Sequence, residues 1–323
     1  MADLLHLVDK PEGWTSHDVV ARMRTILGER RVGHAGTLDP MASGLLVLGE
    51  GRATALLGCL AMLPKRYLAR ARLGISTDTQ DRTGRVLEER SPIPGRSAVI
   101  AALSRFEGRI EQTPPLYSAV KVAGERLYKA ARRGESIERA PRPVHVYAIS
   151  LVDTDGPASG TPGADDVREE ITLDVTVSRG TYVRTLAHDL GEALGCGAHL
   201  VALRRISYGP IQVENALSPA REAGYDADAF RARALSPARA LSFLPRVRLD
   251  AAESGRLRHG LSPVLTSERI ERPDGNDPLP PGEVGWPLAL LDDEGALLAL
   301  AKPWEAQATG ERASLLRVVG AAA

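Results

Sequence analysis

The segment RVGHAGTLDPMASGLLVLG, residues 31–49, decides how the first part of this chain folds. Its apolar run from Leu45 to Leu48 predicts a buried strand, preceded by loop and short strand. Asp39 stands directly before Pro40, which keeps it out of helical geometry. The segment therefore presents one carboxylate on a rigid loop, and local chemistry leaves open whether Asp39 reacts or only begins a turn. Unusual backbone geometry or close approach of a ligand is allowed at three glycines, Gly33, Gly36 and Gly44.

Periodic patterns of apolar residues predict the helices and strands outward from this segment. Helices are expected over residues 15–27, 97–106, 181–194 and 250–259. Thr15 and Asp18 provide a capping-box start for the first helix, and Ser97 provides a cap for the second. Alternating patterns predict strands over residues 66–74, 144–152 and 171–177, and a hairpin over 288–301 that turns at 292–295. Residues 153–170, rich in Asp, Gly, Pro and Ser, are typical of an acidic loop.

The length and composition indicate a folded α+β protein of two domains. The chain has 323 residues, of which 43% are hydrophobic and 25% are charged. That is enough for a sizeable core and too long for one compact module. We predict one domain over residues 1–245 and a small, mostly β domain over residues 246–323, which contains the Pro- and Gly-rich stretch 268–287.

Several classes of protein are disfavoured by what the sequence lacks. No stretch of 18 apolar residues predicts a membrane span, and the acidic N-terminus does not resemble a signal peptide. Two cysteines, Cys59 and Cys196, cannot form a disulfide framework or a four-cysteine zinc site, so a reduced, cytoplasmic setting is expected. The seven histidines lack a metal-binding spacing, and we expect no metal. No phosphate-loop or dinucleotide signature occurs, and Ser43 lacks the glycine frame of a hydrolase nucleophile.

Charge is distributed unevenly along a chain whose formal net charge is zero. Residues 51–150 carry 18 Lys and Arg against 9 Asp and Glu, whereas residues 151–200 carry 3 against 9. Within the basic part, residues 114–133 interleave cations with Tyr117 and Tyr128, which suits an RNA backbone and its exposed bases. A polyanion-binding face and a solvated helix surface both fit this pattern. The cations expected to contact phosphates are Lys121, Arg126, Lys129, Arg132 and Arg133.

The segment SRGTYVRTL, residues 178–186, joins a predicted strand end to a predicted helix start. Backbone N–H groups at a helix start favour anions. Tyr182 and Arg184 would both lie near that helix start. Arg184 could hold a carboxylate through a two-pronged ion pair, or it could be an exposed arginine of the first helical turn.

Four blocks of sequence, in the same order along the chain, resemble the bacterial tRNA pseudouridine-55 synthase family. They are DKPEGWTS at residues 9–16, GHAGTLDP at 33–40, PPLYSAVK at 114–121, and SRGTYVR at 178–184 followed by GCGAHLVALRR at 195–205. Each block alone is a moderate signal, whereas four in order leave little room for chance. The resemblance covers about residues 4–215.

The resemblance implies a fold and a set of residue roles. The fold would be α+β, a mixed, largely antiparallel pseudouridine-synthase sheet with flanking helices, followed by a small PUA-like RNA-binding β-domain. The segment from residue 246 departs from the usual pattern through its Pro-rich insertion. The implied roles are the catalytic aspartate for Asp39, base stacking for His34, stacking on the target ring for Tyr67, a second pocket tyrosine for Tyr182, pairing with the aspartate for Arg184, and an apolar pocket wall for Leu203.

The implied reaction isomerises uridine-55 in the tRNA T-loop to pseudouridine after the base leaves its stack. A C–N glycosidic bond is exchanged for a C–C bond, so no cofactor is expected. We expect Asp39 to act near the sugar or base, Arg184 to keep it ionised, and Tyr67 to orient the ring and serve as the base for the C5 proton. A covalent adduct and a glycal-type route both remain open. The expected partner is tRNA, bound through its T-loop and T-stem by a monomeric protein.

Two other classes of function are alternatives to this enzyme. A non-catalytic RNA-folding protein would need the cations and tyrosines without Asp39 and Arg184, although a tRNA-folding role could also accompany catalysis. Conversion of excess tRNA by a catalytic amount of protein separates these cases. A nucleotide-binding enzyme is disfavoured because phosphate-loop signatures are missing, and nucleotide binding measured by calorimetry would revive it.

Overall fold

The computed structural model describes residues 3–117, 121–122, 125–126, 139–152, 169–220, 223–273, 285–303 and 312–319. Within these ranges, no helix is long and apolar enough to cross a membrane. The predicted acidic loop at 153–170 lies almost entirely outside the described residues, which resume at residue 169.

Strands and helices alternate irregularly along the chain, as in an α+β fold. The strands are β1 Leu5–Lys10, β2 Val32–Ala35, β3 Ala42–Glu50, β4 Lys65–Leu73, β5 Ile75–Thr77, β6 Val86–Glu89, β7 Gly108–Gln112, β8 Lys121–Val122, β9 Glu125–Arg126, β10 Arg142–Val152, β11 Glu170–Val177, β12 Ala198–Tyr208, β13 Ile211–Gln212, β14 Arg246–Arg248, β15 Leu288–Leu291, β16 Leu297–Ala301 and β17 Leu315–Val318. The helices are α1 Ser16–Leu27, α2 Leu57–Leu60, α3 Arg96–Leu103, α4 Val183–Ala193, α5 Ala227–Arg233, α6 Pro237–Ala240 and α7 Ala251–Arg258.

The chain divides into two compact units, of which the first comprises Met1–Leu63 and Gly209–Ala323. Its β3 pairs antiparallel with β1 and with β2. The predicted capping box is present at the start of α1, where Thr15 accepts from the Asp18 amide and Asp18 accepts from the Thr15 amide. Helix α1 then buries its apolar face in a core made of Val8, Val19, Val20, Met23, Leu27, Val32, Leu46, Leu48, Leu217 and Phe230. The predicted first helix and the predicted buried strand are both confirmed.

The second unit, Pro64–Tyr208, is built on a sheet with the strand order β12-β4-β11-β10-β7, every neighbour antiparallel. Strand β4 shows the predicted alternation, with Tyr67, Ala69 and Ala71 buried and with Arg66 and Arg70 exposed. The exposed side carries ion pairs between strands, such as Arg66 with Asp174 and Arg70 with Glu170. This antiparallel sheet and its flanking helices confirm the predicted α+β fold class.

Helix boundaries match the sequence-based expectation at some ends and differ at others. The helix predicted over 181–194 is α4, which buries Val183, Leu186, Ala187 and Leu190. The predicted Ser97 cap is wrong, because α3 begins at Arg96 and its N-cap residue is Gly95, without a side-chain cap bond. A glycine N-cap costs only about a few tenths of a kcal/mol relative to a capping side chain, so Gly95 can precede the helix.

Four strands among the described residues from 246 onward form a separate sheet in the order β14-β15-β16-β17. The predicted hairpin is confirmed: β15 and β16 are antiparallel, and the Asp292 carboxylate accepts from the Ala296 amide across the turn. The predicted helix at 250–259 is α7, which begins with a capping box of Asp250 and Glu253. The new sheet begins at Arg246, next to the predicted boundary, and the division into domains 1–245 and 246–323 stays a prediction.

Candidate functional site

Asp39 lies in the turn that joins β2 to β3 and is half-buried. Its carbonyl accepts a hydrogen bond of 3.0 Å from the Ala42 amide, which closes the turn just before the buried strand. Gly36 has a left-handed φ of 70°, a backbone conformation that disfavours a side chain at that position. The sequence therefore fixes this carboxylate on a short, hydrogen-bonded turn.

The DKPEGWTS segment at residues 9–16 forms hydrogen bonds with the turn that contains Asp39. The buried Ser16 hydroxyl accepts from the Leu38 amide at 2.9 Å and donates to the Leu38 carbonyl at 3.2 Å. On the other side of Asp39, the Gly13 amide donates to the Pro40 carbonyl at 2.8 Å. Both neighbours of Asp39 are thereby tied to the start of α1, a structural role that the sequence analysis did not assign to this block.

Lys10 completes this support from within the core of the first unit. Its side chain is fully buried, and its ammonium group donates to the carbonyls of Trp14 at 2.5 Å, Pro11 at 3.0 Å and Pro40 at 3.4 Å. A buried cation is tolerated only when such acceptors surround it. The ammonium group thus joins the segment before α1 to the residue that follows Asp39.

His34, the expected base-stacking histidine, lies half-buried on β2. Its ring meets the ring of the exposed His17 edge to face, with the centroids 5.8 Å apart and the planes at 75°. His17 belongs to the first turn of α1. It is a second histidine at this surface that the sequence analysis missed, because the two residues are distant in sequence.

Tyr67 and Leu203, expected to contact the target base, lie on the adjacent strands β4 and β12 of the second unit. Tyr67 is paired with Arg205 and Ala69 with Leu203, so these residues share one face of the sheet. Both Tyr67 and Leu203 are buried. The guanidinium of Arg205 donates a long hydrogen bond of 3.4 Å to the Tyr67 hydroxyl.

Tyr182 is the N-cap residue of α4, and its backbone is clamped by Gln112. The Gln112 side chain accepts from the Tyr182 amide at 2.8 Å and donates to the Tyr182 carbonyl at 3.1 Å. Gln112 is buried at the end of β7. The position of Tyr182 therefore depends on a residue that the sequence analysis did not single out.

Arg184 is buried, so the alternative of an exposed arginine on the first helical turn is wrong. Its guanidinium donates to the Thr79 carbonyl at 2.9 Å and to the Tyr117 carbonyl at 3.0 Å. It also forms an ion pair with Asp81, with 3.6 Å between Nη1 and Oδ2. Both side chains of the pair are nearly inaccessible to solvent, at 5% and 8% exposure, which strengthens their attraction.

Asp81 is held in place by its own turn. Its Oδ1 atom accepts from the Thr79 hydroxyl at 2.8 Å, from the Thr83 hydroxyl at 2.6 Å and from the Thr83 amide at 2.9 Å. Gln80, with a φ of 62°, takes the left-handed conformation that this turn requires. The sequence TDTQDRTG is rich in turn-forming residues. That composition could have predicted the turn, but not the pairing of Asp81 with Arg184.

The predicted site residues fall into three groups. Asp39 and His34 belong to the first unit; in the second unit, Tyr67 and Leu203 share a sheet face, and Tyr182 and Arg184 begin α4. Lys121 lies in β8, paired with Arg126 of β9, whereas Arg132 lies outside the described residues. In the described ranges, no group of three or more His, Cys, Asp or Glu residues is placed to hold a metal ion.

These three groups of residues contain functional groups that could take part in a reaction. Asp39 offers a carboxylate on a rigid turn, which can act as a nucleophile or as a fixed negative charge. Tyr67 offers an aromatic surface, together with a hydroxyl that accepts from a cation. The pair of Arg184 and Asp81 offers a preoriented guanidinium at a helix start. Such a set suits chemistry on a flat, polar ring.

Comparison with known proteins bears directly on this chemistry. Residues 24–183 match the model for the N-terminal domain of the TruB family pseudouridylate synthases, and residues 184–222 match the tRNA pseudouridylate synthase B C-terminal domain. A tRNA pseudouridine synthase B of Cupriavidus metallidurans is 42% identical over 95% of this chain and 92% of its own length. Another, of Thermobifida fusca, is 45% identical over 94% of this chain and 95% of its own length.

Solved structures agree with the sequence comparisons. A Cbf5-Nop10-Gar1 complex matches 99% of this chain and 85% of its own chain, with a TM-score of 0.70 and 27% identity. An H/ACA RNP bound to a substrate RNA containing 2'-deoxyuridine matches 98% of this chain and 85% of its own, with a TM-score of 0.68 and 25% identity. With similarity of this extent in both sequence and fold, the chain belongs to the TruB family of pseudouridylate synthases.

Proposed function

We propose that this enzyme converts uridine-55 in the T-loop of tRNA to pseudouridine. The observation that carries the proposal is the nearly full-length similarity to relatives named tRNA pseudouridine synthase B, at 42% and 45% identity. The rigid presentation of Asp39 supports it further, because the reaction needs a fixed carboxylate near the sugar or the base. A tRNA substrate also fits the excess of cations in residues 51–150.

The reaction is a balanced rearrangement within one nucleotide. The bond from N1 of the uracil to C1′ of the ribose breaks, the detached ring turns, and a bond forms from C5 to C1′. C5 then loses its proton, and N1 gains one. No electrons are gained or lost overall, so the protein has to supply a carboxylate, a base and a binding site that keeps the detached uracil in place.

Asp39 takes the first role, either by forming a covalent adduct or by assisting a glycal-type route. Both routes require its ionised carboxylate, and we assign Arg184 to support that charge. Tyr67 stacks on the uracil and takes the C5 proton. Its buried position on β4 favours a fixed ring orientation, which an unanchored surface side chain could not provide.

Substrate recognition involves a flipped base and the RNA backbone. The base leaves the stack at a cost of a few kcal/mol, which contacts with His34, Tyr182 and Leu203 would offset. Lys121 and Arg132 neutralise phosphates of the T-stem. The sheet from residue 246 onward acts as a PUA-like RNA-binding domain, and the protein works in the cytoplasm as a monomer.

The test is site-specific mapping of pseudouridine in tRNA from cells that lack this protein and from the same cells after it is restored. Pseudouridine at position 55 should vanish and return. With purified components, protein at one hundredth of the tRNA concentration should convert all of the tRNA, including after dialysis against a chelator. A protein that refolds tRNA stoichiometrically without producing pseudouridine would contradict the proposal and favour the RNA-folding alternative.

A further inference from the structure

A buried column of alternating cations and aromatic rings stands beside Leu203 in the second unit. It consists of Lys65, Tyr208, Arg205 and Tyr67, and we call it the cation–aromatic column. The Lys65 ammonium lies 4.8 Å from the centroid of the Tyr208 ring. The Arg205 guanidinium carbon lies 5.1 Å from the centroid of the same ring and 6.0 Å from that of Tyr67. All four side chains are buried, and Arg205 is only 1% exposed.

A bulge in β12 makes this column possible. Residues three apart on a regular strand point to opposite faces, so Arg205 and Tyr208 would not share a face without an irregularity. Arg205 pairs with Tyr67 and Tyr208 pairs with Lys65, and the register shifts between Arg205 and Ser207. The extra residue turns Tyr208 back to the face of Arg205. As a result, the Tyr208 ring packs against the Arg205 guanidinium.

The Arg205 guanidinium is stabilised by the Tyr208 ring on one side and by a hydrogen bond to the Tyr67 hydroxyl on the other. A buried guanidinium is costly unless rings or acceptors compensate for lost hydration. Burial raises the pKa of Tyr208, which therefore offers Arg205 a neutral ring face rather than a negative charge. On its other side, Arg205 donates to the Tyr67 hydroxyl at 3.4 Å. Because a guanidinium cannot accept, the tyrosine oxygen must be the acceptor.

We propose that Arg205 is a positioning residue for the reaction, which fixes the Tyr67 hydroxyl and supports negative charge on its oxygen. The inference rests on the proposed function, in which Tyr67 takes the C5 proton. In that step the C5–H bond breaks, its electron pair restores the C5–C6 double bond, and the proton goes to the Tyr67 oxygen. This oxygen must first have released its own proton to solvent. A cation that donates to the oxygen stabilises that ionised form.

A double-mutant cycle tests whether Arg205 acts through the Tyr67 hydroxyl. Single-turnover rates are measured with saturating enzyme for wild type, Arg205→Met, Tyr67→Phe and the double variant. Arg205→Met should lower the rate by about tenfold to a hundredfold, and by less than about threefold when Tyr67 is already Phe. Equal losses in both backgrounds, or a wild-type rate for Arg205→Met, would overturn the proposal.

Two further variants separate positioning from general damage to the fold. Arg205→Lys keeps a positive donor and should recover most of the rate lost in Arg205→Met. Tyr208→Phe removes a buried hydroxyl that has no hydrogen-bond partner within the described residues, and its rate should stay within about twofold of wild type. A rate loss in Arg205→Met with no recovery in Arg205→Lys would mean that Arg205 only stabilises the fold.

A spectroscopic readout keeps the inference separate from the proposed function. Tyrosine labelled with ¹³C at Cζ gives a resonance for Tyr67, identified by its loss in Tyr67→Phe. That resonance should move in Arg205→Met. An unmoved resonance overturns the inference whatever the activity. If wild type forms no pseudouridine, the proposed function fails, while a moved resonance still shows that Arg205 holds the Tyr67 hydroxyl.

Discussion

The hydroxyl of Ser16 bridges both backbone groups of Leu38, accepting from its amide at 2.9 Å and donating to its carbonyl at 3.2 Å. Ser16 is the first residue of α1, and Leu38 directly precedes Asp39. The buried Ser16 side chain thus provides the hydrogen bonds that a neighbouring strand would otherwise give to the backbone of Leu38. The position of the Asp39 carboxylate therefore depends on the start of a helix that is remote in sequence.

Replacing Ser16 with Ala should slow the reaction without weakening tRNA binding. The Leu38 amide would lose its partner in a buried position, which costs about 1–3 kcal/mol. We expect the free energy of unfolding to fall by that amount and the single-turnover rate to fall about tenfold, because the Asp39 turn loosens. Chemical denaturation and rates at saturating enzyme measure the two effects.

Thr25→Ala is the matched control for this change. Thr25 lies on the same helix, and its exposed hydroxyl donates to the Ala21 carbonyl within α1. Its removal should leave the rate unchanged. If Ser16→Ala and Thr25→Ala have equal rates, the Ser16 bridge does not control the Asp39 turn.

Replacing Asp39 with Asn should abolish pseudouridine formation while keeping the fold and the affinity for tRNA. The amide preserves the shape of the side chain but supplies neither the nucleophile nor the negative charge. Mass spectrometry of the tRNA nucleosides measures the product, and filter binding measures the affinity. Asp293→Asn, at an exposed carboxylate of the β15–β16 turn, serves as the control and should be fully active. Product above a trace from Asp39→Asn would refute the role of Asp39.

Replacing Asp81 with Asn should lower the rate about tenfold or more, because Arg184 loses the charge of its buried partner. The amide oxygen can still accept from Thr79 and Thr83, so the turn should persist, with a stability loss below the 3–5 kcal/mol typical of a broken buried pair. Asp78→Asn is the control, since Asp78 pairs with an Arg85 side chain that is 87% exposed. Such a surface pair contributes about 0–1 kcal/mol. Equal activity of the two variants would mean that the Asp81 charge is dispensable.

Local signals in the sequence were sufficient for much of the fold. Thr15 and Asp18 predict the start of α1, and the alternation along residues 66–74 predicts β4, because capping and side-chain periodicity act between near neighbours. The predicted Ser97 cap of α3 is wrong, because the N-cap is Gly95. Glycine is tolerated at an N-cap, so a nearby residue with a good capping side chain does not by itself locate the start of a helix.

The contacts that hold the candidate site could not be predicted in the same way. From the sequence alone, Arg184 could lie on an exposed helical turn. In the structure, its guanidinium donates to the carbonyls of Thr79 and Tyr117, which are far away in sequence. The contact of Arg205 with Tyr67 depends on the register of two strands and on a bulge, and neither follows from side-chain periodicity. Resemblance to a family supplied the residues that we propose to react, whereas the contacts around them required the structure.

Tyr67 is assigned two roles, stacking on the uracil and removal of its C5 proton. Tyr67→Phe keeps the aromatic ring, which contributes about 1–3 kcal/mol through stacking, and removes only the hydroxyl. If the hydroxyl takes the proton, the rate should fall by about 10²–10⁴, the usual size of a general-base contribution. Tyr67→Leu should be poor in either case, because it removes both the ring and the hydroxyl.

Single-turnover rates at saturating enzyme decide between the roles, because weaker tRNA binding then no longer affects the rate. We expect Tyr67→Phe to bind tRNA like wild type and to react far more slowly, since the proposed mechanism assigns Asp39 to the sugar or the base and an arginine cannot accept a proton. His34 is assigned to the RNA rather than to the reacting ring, which leaves the Tyr67 oxygen as the base. A phenylalanine variant within a few-fold of wild type would refute the base assignment and leave the stacking role intact. In that case solvent would have to take the C5 proton, and the contact of Arg205 with the hydroxyl would serve only to orient the ring.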